Sequence, residues 1–365
     1  MTTKKKIRIA IMFGGRSAEH EVSIQSARNI VEAIDRTKYD VSLTGIDKRG
    51  VWHVLQAITF NQELFPAVKK EQKTAALIPK EKEKFPAIAE REIKNFDVVF
   101  PILHGPFGED GTIQGLLKLA DVPFVGAGVL GSAVGMDKDV MKRLLRDAGV
   151  PVAKFLVFHK HELSTITFEK VRKILGLPFF VKPANLGSSV GVSKVHSKKE
   201  FVPALTQAFS YDTKILIEEN IKGREIECSV LGNERPIASV PGEIIPGEEF
   251  YSYDAKYSEE SKTKYIIPAE LPNRLIKKIQ KLAIKTFTAL ECAGMARVDF
   301  FLTDKGKVFV NEINTIPGFT KISMYPKLWE ASGIPYGKLI DALIKLAIER
   351  FEKESRLQTS YANKG

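Results

Sequence analysis

Met295-Ala-Arg-Val-Asp-Phe-Phe-Leu-Thr-Asp-Lys-Gly-Lys-Val-Phe-Val-Asn-Glu-Ile-Asn314 reads as two strands joined by a tight turn at Asp304-Lys305-Gly306. Side chains alternate between the faces of a strand. With an even number of loop residues, Arg297 falls opposite Glu312 and Asp299 opposite Val310. Arg297, Asp299, Glu312 and Asn314 then share one face, and Ala296, Val298, Phe300, Leu302, Phe309 and Ile313 share the other. An odd loop breaks this pairing. Two carboxylates and an amide oxygen on one patch make a hard-oxygen donor set suited to Mg²⁺ or Mn²⁺. Mg²⁺ takes one or two carboxylates and leaves its other positions to water and substrate phosphates. The competing reading is a solvated hairpin face with an Arg–carboxylate pair.

Leu177-Pro-Phe-Phe-Val-Lys-Pro-Ala-Asn-Leu-Gly-Ser-Ser-Val-Gly-Val-Ser-Lys-Val195 reads as a strand, a glycine-bracketed loop and a second strand. Lys182 ends the first strand. In Gly187-Ser-Ser-Val-Gly191, backbone N–H groups can turn inward beside the hydroxyls of Ser188 and Ser189. A loop of this kind cradles phosphate oxygens, and the nearby lysine adds charge. No Gly-Lys-Ser/Thr follows, so this is not a Walker A loop. A plain hairpin turn rich in small residues accounts for the same letters.

Further segments extend the series along nearly the whole chain: Phe13-Gly-Gly-Arg-Ser-Ala-Glu-His-Glu-Val-Ser23, His104-Gly-Pro-Phe-Gly-Glu-Asp-Gly-Thr-Ile-Gln-Gly115, Met136-Asp-Lys138, Tyr253-Asp-Ala-Lys-Tyr257 and Asn311-Glu-Ile-Asn-Thr-Ile-Pro-Gly-Phe-Thr320. In number and order they resemble the ATP-grasp superfamily and, within it, the D-alanine–D-alanine ligase family. The resemblance implies a three-domain α/β architecture. A parallel-sheet, substrate-binding domain (1–125) is followed by a central ATP-grasp subdomain (126–214) and a C-terminal catalytic domain (215–365), and the last two, both α+β, clamp ATP.

It also implies a reaction. Two D-alanines are joined with Mg-ATP for peptidoglycan precursors. The first carboxylate takes the γ-phosphate to become an acyl phosphate, which the second amine attacks. Phosphoryl transfer rests on positioning and charge neutralisation more than on a covalent nucleophile. By position, Asp299, Glu312 and Asn314 match the ligands of the family's paired divalent ions, Mg²⁺ or Mn²⁺. Lys138, Lys182 and Lys256 match its phosphate-contacting lysines, with Ser189 in the loop beside them. Arg297 matches the arginine near the transferring phosphate and developing oxyanion.

Glu218, Glu219, Ile221 and Glu225 sit where the family holds adenine and ribose. As residues alone these acids read as a solvated strand end. Glu19 matches the acceptor of the first D-alanine's ammonium group. Ser188 and Tyr257 match its partners in closing a loop over the site. Ser323 matches the group that binds the second substrate's carboxylate, although its letters alone describe a surface serine. Asn185-Leu186 and Ile322 depart from many relatives, which puts second-substrate preference in question and keeps D-lactate and D-serine as alternatives. Tyr257 in Asp-Ala-Lys-Tyr resembles the dipeptide-forming members. A homodimer is the family expectation. The rival of another class is a non-catalytic ATP sensor, which would not need Glu19, Tyr257 and Ser323.

Outside those segments, strands near 7–13, 41–45, 97–102 and 122–125 alternate with helices near 22–34 and 112–120, the pattern of βα units with a mostly parallel sheet. Ligands in such sheets sit beyond the strands' carboxyl ends, where 14–21 and 104–111 fall. The charged, proline-punctuated interval 61–95 reads as a surface excursion. A helix near 136–148 opens the central domain. A strand 215–219, a polar loop 248–263 and helices 274–289 and 336–354 belong to the last. The polar loop, with Lys256 and Tyr257, reads as a lid.

Two motif matches fail on context. Gly126-Ala-Gly-Val-Leu-Gly131 follows a strand, yet Pro151-Val-Ala-Lys-Phe-Leu-Val-Phe158 supplies no acid for a ribose, so a close-packed turn before a helix is the better account. Gly187-Ser-Ser-Val-Gly191 matches a serine-hydrolase elbow, but an extended segment follows where a helix is needed. No downstream acid-then-histidine pair completes a triad.

The 365 residues suffice for two or three domains, and 44% hydrophobic with 27% charged residues is ordinary for a soluble globular protein. No apolar run reaches membrane-spanning length, and the short run after Met-Thr-Thr-Lys-Lys-Lys does not resemble a signal peptide. A net charge of +11 invites nucleic acid, but lysines interleave with acids, as in Lys80-Glu-Lys-Glu-Lys84, and no aromatic–basic motif occurs. A mildly basic surface suits nucleotide phosphates. Cys228 and Cys292 give no metal spacing and no disulfide scaffold, which fits a cytoplasmic enzyme.

Overall fold

Strand β1 (Ile7–Gly14) is buried at every position after Arg8, the continuous apolar run of a parallel strand covered on both faces. The computed structural model describes residues 5–55, 95–247 and 263–358. β1 pairs in parallel with β2 (Tyr39–Ile46) and with β4 (Val98–Pro101), and β3 (Trp52–Leu55) adds antiparallel to β2. The expected strand at 122–125 makes only a bridge, Phe124 beside Val99, held by the N–H of Val99 on the carbonyl of Pro123. Helix His20–Ala33 follows β1 and packs Ala27, Ile30 and Val31 into the same core as Ile9, Ile11 and Phe13.

A second, antiparallel sheet has the order β5 (Phe155–His159), β8 (Lys214–Glu219), β6 (Phe179–Pro183), β7 (Ser193–Val195). Helices Phe168–Leu175 and Lys198–Tyr211 cover one face, where the rings of Phe168, Phe179 and Phe201 meet at 5.6–6.1 Å between centroids. The expectation that residues 215–219 open the last domain is corrected here. Their strand lies between β5 and β6, because Ile215 and Ile217 fill the core built on Phe179 and Val181.

The third sheet runs β12 (Lys264–Ile266), β11 (Gly242–Ile245), β9 (Arg224–Gly232), β13 (Gly294–Leu302), β14 (Val308–Asn314), with β10 (Ile237–Ala238) beside β9. Helix Asn273–Ala289 packs Ile279, Ala283 and Phe287 on it. Helix Lys138–Asp147, expected in the central domain, sends Met141 and Leu145 into this core instead. Helix Tyr336–Glu354 occurs at the expected residues but returns to the first sheet, burying Leu339, Ile340, Leu343 and Ile344 against it. Contiguous intervals of sequence therefore do not coincide with packing units at either end.

The decisive hairpin differs in register from the even-loop expectation. The loop 303–307 is odd, closed by the N–H of Thr303 on the carbonyl of Lys307 at 2.9 Å. Near the turn Leu302 pairs with Val308 and Phe300 with Val310, so Phe301 pairs with Phe309 and Phe309 leaves the core face assigned to it. A β-bulge at Asn311 then shifts the ladder, so that Asp299 pairs with Glu312 and Arg297 with Asn314. Neither Arg297–Glu312 nor Asp299–Val310 forms. Without the bulge, Glu312 would face the core beside Val298. With it, Arg297, Asp299, Glu312 and Asn314 share one face after all.

The two rejected motifs resolve as their contexts required. Helix Val129–Met136 begins directly after Gly128, and a Cβ at Gly131 would stand 2.5 Å from the carbonyl oxygen of Glu291, a close-packed turn and helix. Strand β7, not a helix, follows the serine loop. Among the described residues no helix is long and apolar enough to cross a membrane. The 61–94 part of the expected surface excursion lies outside the described residues, as do residues 248–262 of the expected lid.

Candidate active site

One cavity of about 1130 Å³ is lined by strands of the second and third sheets and by the helix and loop that follow β1 and β4 of the first. Glu19, Ser188, Arg297 and Ser323 line it, as do Lys138, Lys182, Ser189, Glu218, Glu219, Ile221 and Glu225, and Asp299, Glu312 and Asn314. Every described residue assigned to the site thus reaches a single space. Lys256 and Tyr257 lie outside the described residues.

Glu19 stands beyond the carboxyl end of β1, at the start of helix His20–Ala33, where the helix dipole favours an anion. Ser188 Oγ donates to its Oε1 at 2.5 Å, joining the central loop to the first sheet. Ser188 and Ser189 have φ of 50° and 59°, left-handed values that non-glycine residues adopt at a cost. Such strain persists where the surroundings enforce it, here at the loop whose geometry would receive phosphate.

On the hairpin face Arg297 grips Asp299 with two bonds of 2.7 Å and lies 2.9 Å from Glu227. Burial alone would lower the pKa of this guanidinium, but Asp299, Glu227 and Glu312 outweigh it and hold it firmly charged. Asn314 Nδ2 donates to Asp299 Oδ2 at 3.0 Å, which leaves its carbonyl oxygen as the amide's donor atom for a cation. Lys138 donates to the carbonyl of Leu186 at 2.5 Å and lies 3.7 Å from Glu312. The Arg–carboxylate pair of the competing reading is therefore present, inside a cavity rather than on a solvated face. Two opposed carboxylates and an amide fit a magnesium-like ion that also takes phosphate oxygens. Among the described residues no group of three His, Cys, Asp or Glu side chains forms such a site, so the amide is needed.

Glu218 overturns the reading of a solvated acid: it is 1% exposed, between Lys142 at 3.0 Å and Lys182 at 3.2 Å. Glu219 instead accepts the backbone N–H of Lys154 at 2.7 Å. Ser323 directly precedes helix Met324–Ala331, and its Oγ accepts the N–H of Thr320 at 3.0 Å. A carboxylate suits such a helix N-terminus. Lys321 turns to Glu32, 3.3 Å away.

Sequence reasoning assigned no role to His104, which is buried, or to Glu109, which is half-buried, both on the cavity wall. They grip one residue: the N–H of Ile316 donates to Glu109 Oε1 at 3.1 Å, and His104 Nδ1–H donates to the Ile316 carbonyl at 3.0 Å. Burial lowers the pKa of His104, consistent with a neutral ring. Burial, and then Glu19, push Glu109 up to about 8. The only sequence signal was their place in His104-Gly-Pro-Phe-Gly-Glu109. Cys228 and Cys292 are free thiols, and burial pushes both up to about 12.

The fold and cavity are those of the ATP-grasp class, in which two sheets face each other across a nucleotide-sized space. Residues 8–127 match the model of the D-ala D-ala ligase N-terminus and residues 144–345 that of the D-ala D-ala ligase C-terminus. The chain is 55% identical over 361 residues to a D-alanine–D-alanine ligase of Shouchella clausii, covering 97% of this chain and 98% of the relative. It is 50% identical over 362 residues to D-alanine–D-alanine ligase A of Escherichia coli K12, covering 98% of this chain and 100% of the relative. Among solved structures it resembles the D-alanine–D-alanine ligase of Coxiella burnetii (TM-score 0.81, 40% identity, covering 96% and 98%). It also resembles VanG D-Ala:D-Ser ligase of Enterococcus faecalis (TM-score 0.82, 35% identity, covering 94% and 100%). The chain belongs to the D-alanine–D-alanine ligase family, and it is an ADP-forming ligase.

Proposed function

We propose that the chain joins two D-alanines to D-alanyl-D-alanine, consuming ATP, for peptidoglycan precursor synthesis. The observation that supports this is the meeting in one cavity of Glu19, the helix start at Ser323, Lys138, Lys182 and the acidic hairpin face, which we read as ammonium acceptor, carboxylate site, phosphate contacts and metal site. A sensor of ATP alone would have no use for the first two.

Glu19, held by Ser188, receives the first D-alanine's ammonium group and turns its carboxylate toward the hairpin. Lys138 and Lys182 take the phosphates of ATP, with the backbone of the 187–191 loop around them. Arg297, kept charged by its acids, neutralises the charge that develops as the γ-phosphate moves to the first carboxylate. Asp299, Glu312 and Asn314 would hold the divalent ions, Mg²⁺ or Mn²⁺. When bound these supply charge neutralisation at the phosphate oxygens. The second D-alanine sets its carboxylate at Ser323, and its amine displaces phosphate from the acyl phosphate. Lys256 joins the phosphate contacts, and Tyr257 shields that intermediate from water.

D-Alanine is preferred as second substrate over D-lactate and D-serine. Lys321 is engaged by Glu32 rather than aimed at an anion, and Ile322, 65% exposed, offers an apolar surface beside Ser323. The enzyme works in the cytoplasm as a homodimer, and light scattering in solution should give twice the mass of one chain. Competition at neutral pH among equal D-alanine, D-serine and D-lactate tests the substrate. D-Alanyl-D-alanine should predominate, and a predominant ester or serine product would overturn the preference.

A further inference from the structure

Lys142 has no place in the chemistry above, yet it is the most deeply buried lysine near the site, its side chain 1% exposed. It lies one helical turn beyond Lys138 on helix Lys138–Asp147, so both project from the same side. Lys138 enters the cavity, whereas Lys142 passes behind the wall formed by Glu218. On the strands, Glu218 pairs with Phe180 and Lys182 with Leu216, which puts Glu218 and Lys182 on one face of the central sheet. The result is a row of three charges: Lys142 is 3.0 Å from Glu218 Oε2, and Lys182 is 3.2 Å from Oε1. Burial opposes ionisation of Glu218, and Lys142 followed by Lys182 overcomes it and holds the carboxyl below its ordinary range.

Were Lys182 the carboxylate's only partner, turning that lysine toward a phosphate would strand a buried anion, which is strongly unfavourable. The lysine would be held where it is. A second cation behind the wall removes the conflict and leaves one positive charge in excess, facing the cavity. We propose that Lys142 is a positioning residue for nucleotide binding: the fixed counter-ion of Glu218, which leaves Lys182 at liberty to turn from that carboxylate to a phosphate. This rests on the reading of ATP as substrate and of Lys182 as a phosphate contact.

The test compares the full-length chain with Lys142→Met, Glu218→Gln and the double variant, measuring KM for ATP and for D-alanine, and ADP affinity by calorimetry. Lys142→Met should raise KM for ATP and weaken ADP about tenfold, the scale of coupling between contacting charges, with KM for D-alanine within about twofold. In the Glu218→Gln background the carboxylate that needs a counter-ion is gone. There Lys142→Met should cost nothing or improve ADP binding, since it removes a buried cation left without its partner. If Lys142→Met alone does not fold, this second comparison carries the test, because the double variant buries no lone charge of the pair. Equal losses in both backgrounds, or an unchanged KM for ATP in Lys142→Met, would overturn the proposal. Dipeptide formation by the unaltered chain tests the ligase reading separately. Its failure with coupled ADP affinities removes that reading and keeps the coupling, whereas additive variants in an active chain remove only this inference.

Discussion

Asp299→Asn keeps the shape of a side chain at the centre of the site and removes its charge, so its cost can be worked from contacts. Asp299 Oδ1 accepts from Arg297 Nε and Oδ2 from Arg297 Nη2, each at 2.7 Å, and Oδ2 also from Asn314 at 3.0 Å. Any orientation of the new amide sets its NH₂ against a donor. The least costly one faces Arg297 Nε and keeps the bonds at the other oxygen. One charge-assisted bond is lost, about 1.5–3 kcal/mol. Arg297 keeps Glu227 at 2.9 Å, so the guanidinium is not stranded and the chain still folds. The melting midpoint should fall by several degrees, at roughly 2–4 °C per kcal/mol. Activity should fall much further, at least ~100-fold, because a neutral amide is a poor ligand for a hard dication. The assay is phosphate release with D-alanine across a Mg²⁺ series, run beside thermal melting. Turnover should vanish at low Mg²⁺ and return in part as Mg²⁺ rises. Normal turnover at low Mg²⁺, with only the melting loss, would refute the metal assignment and make Asp299 a structural partner of Arg297.

Glu109 makes stability depend on pH. Its carboxyl is pushed up to about 8 from an ordinary value of 4.5, so the folded state holds the proton more tightly and stability is lost as pH climbs through that interval. Glu109→Gln should flatten the decline in melting temperature across it, and equal slopes for both proteins would refute the assignment. Ser323→Ala should raise KM for the second D-alanine about tenfold, for one lost hydrogen bond to a charged group, and leave KM for ATP unchanged. Equal effects on both substrates would remove Ser323 from the second pocket. Gly131→Ala should destabilise the chain by about 1–3 kcal/mol, since its Cβ meets the rigid backbone of Glu291 at 2.5 Å. Unchanged denaturant midpoints would show that the backbone yields.

The face of the hairpin was legible because alternation along a strand is a local property, and Arg297, Asp299, Glu312 and Asn314 lie where parity set them. The pairing across it was not, because an odd loop and a bulge at Asn311 each shift parity and only together restore it. Phe309 fell on the wrong face for that reason. The strand Lys214–Glu219 looked like the start of a new domain, since nothing local tells which sheet will claim a strand. Glu218 read as solvated because its partners Lys142 and Lys182 are remote in sequence. Glu109 and His104 were visible as letters of a motif, but their common hold on Ile316 exists only after the third sheet docks on the first.

On this mechanism one cavity activates one D-alanine with ATP and delivers it to another. Incubation with Mg-ATP and D-alanine, with ADP, phosphate and D-alanyl-D-alanine quantified together by mass spectrometry, tests it most directly. One ADP, one phosphate and one dipeptide should form together. Phosphate released without dipeptide, or no turnover with D-alanine at all, would contradict it.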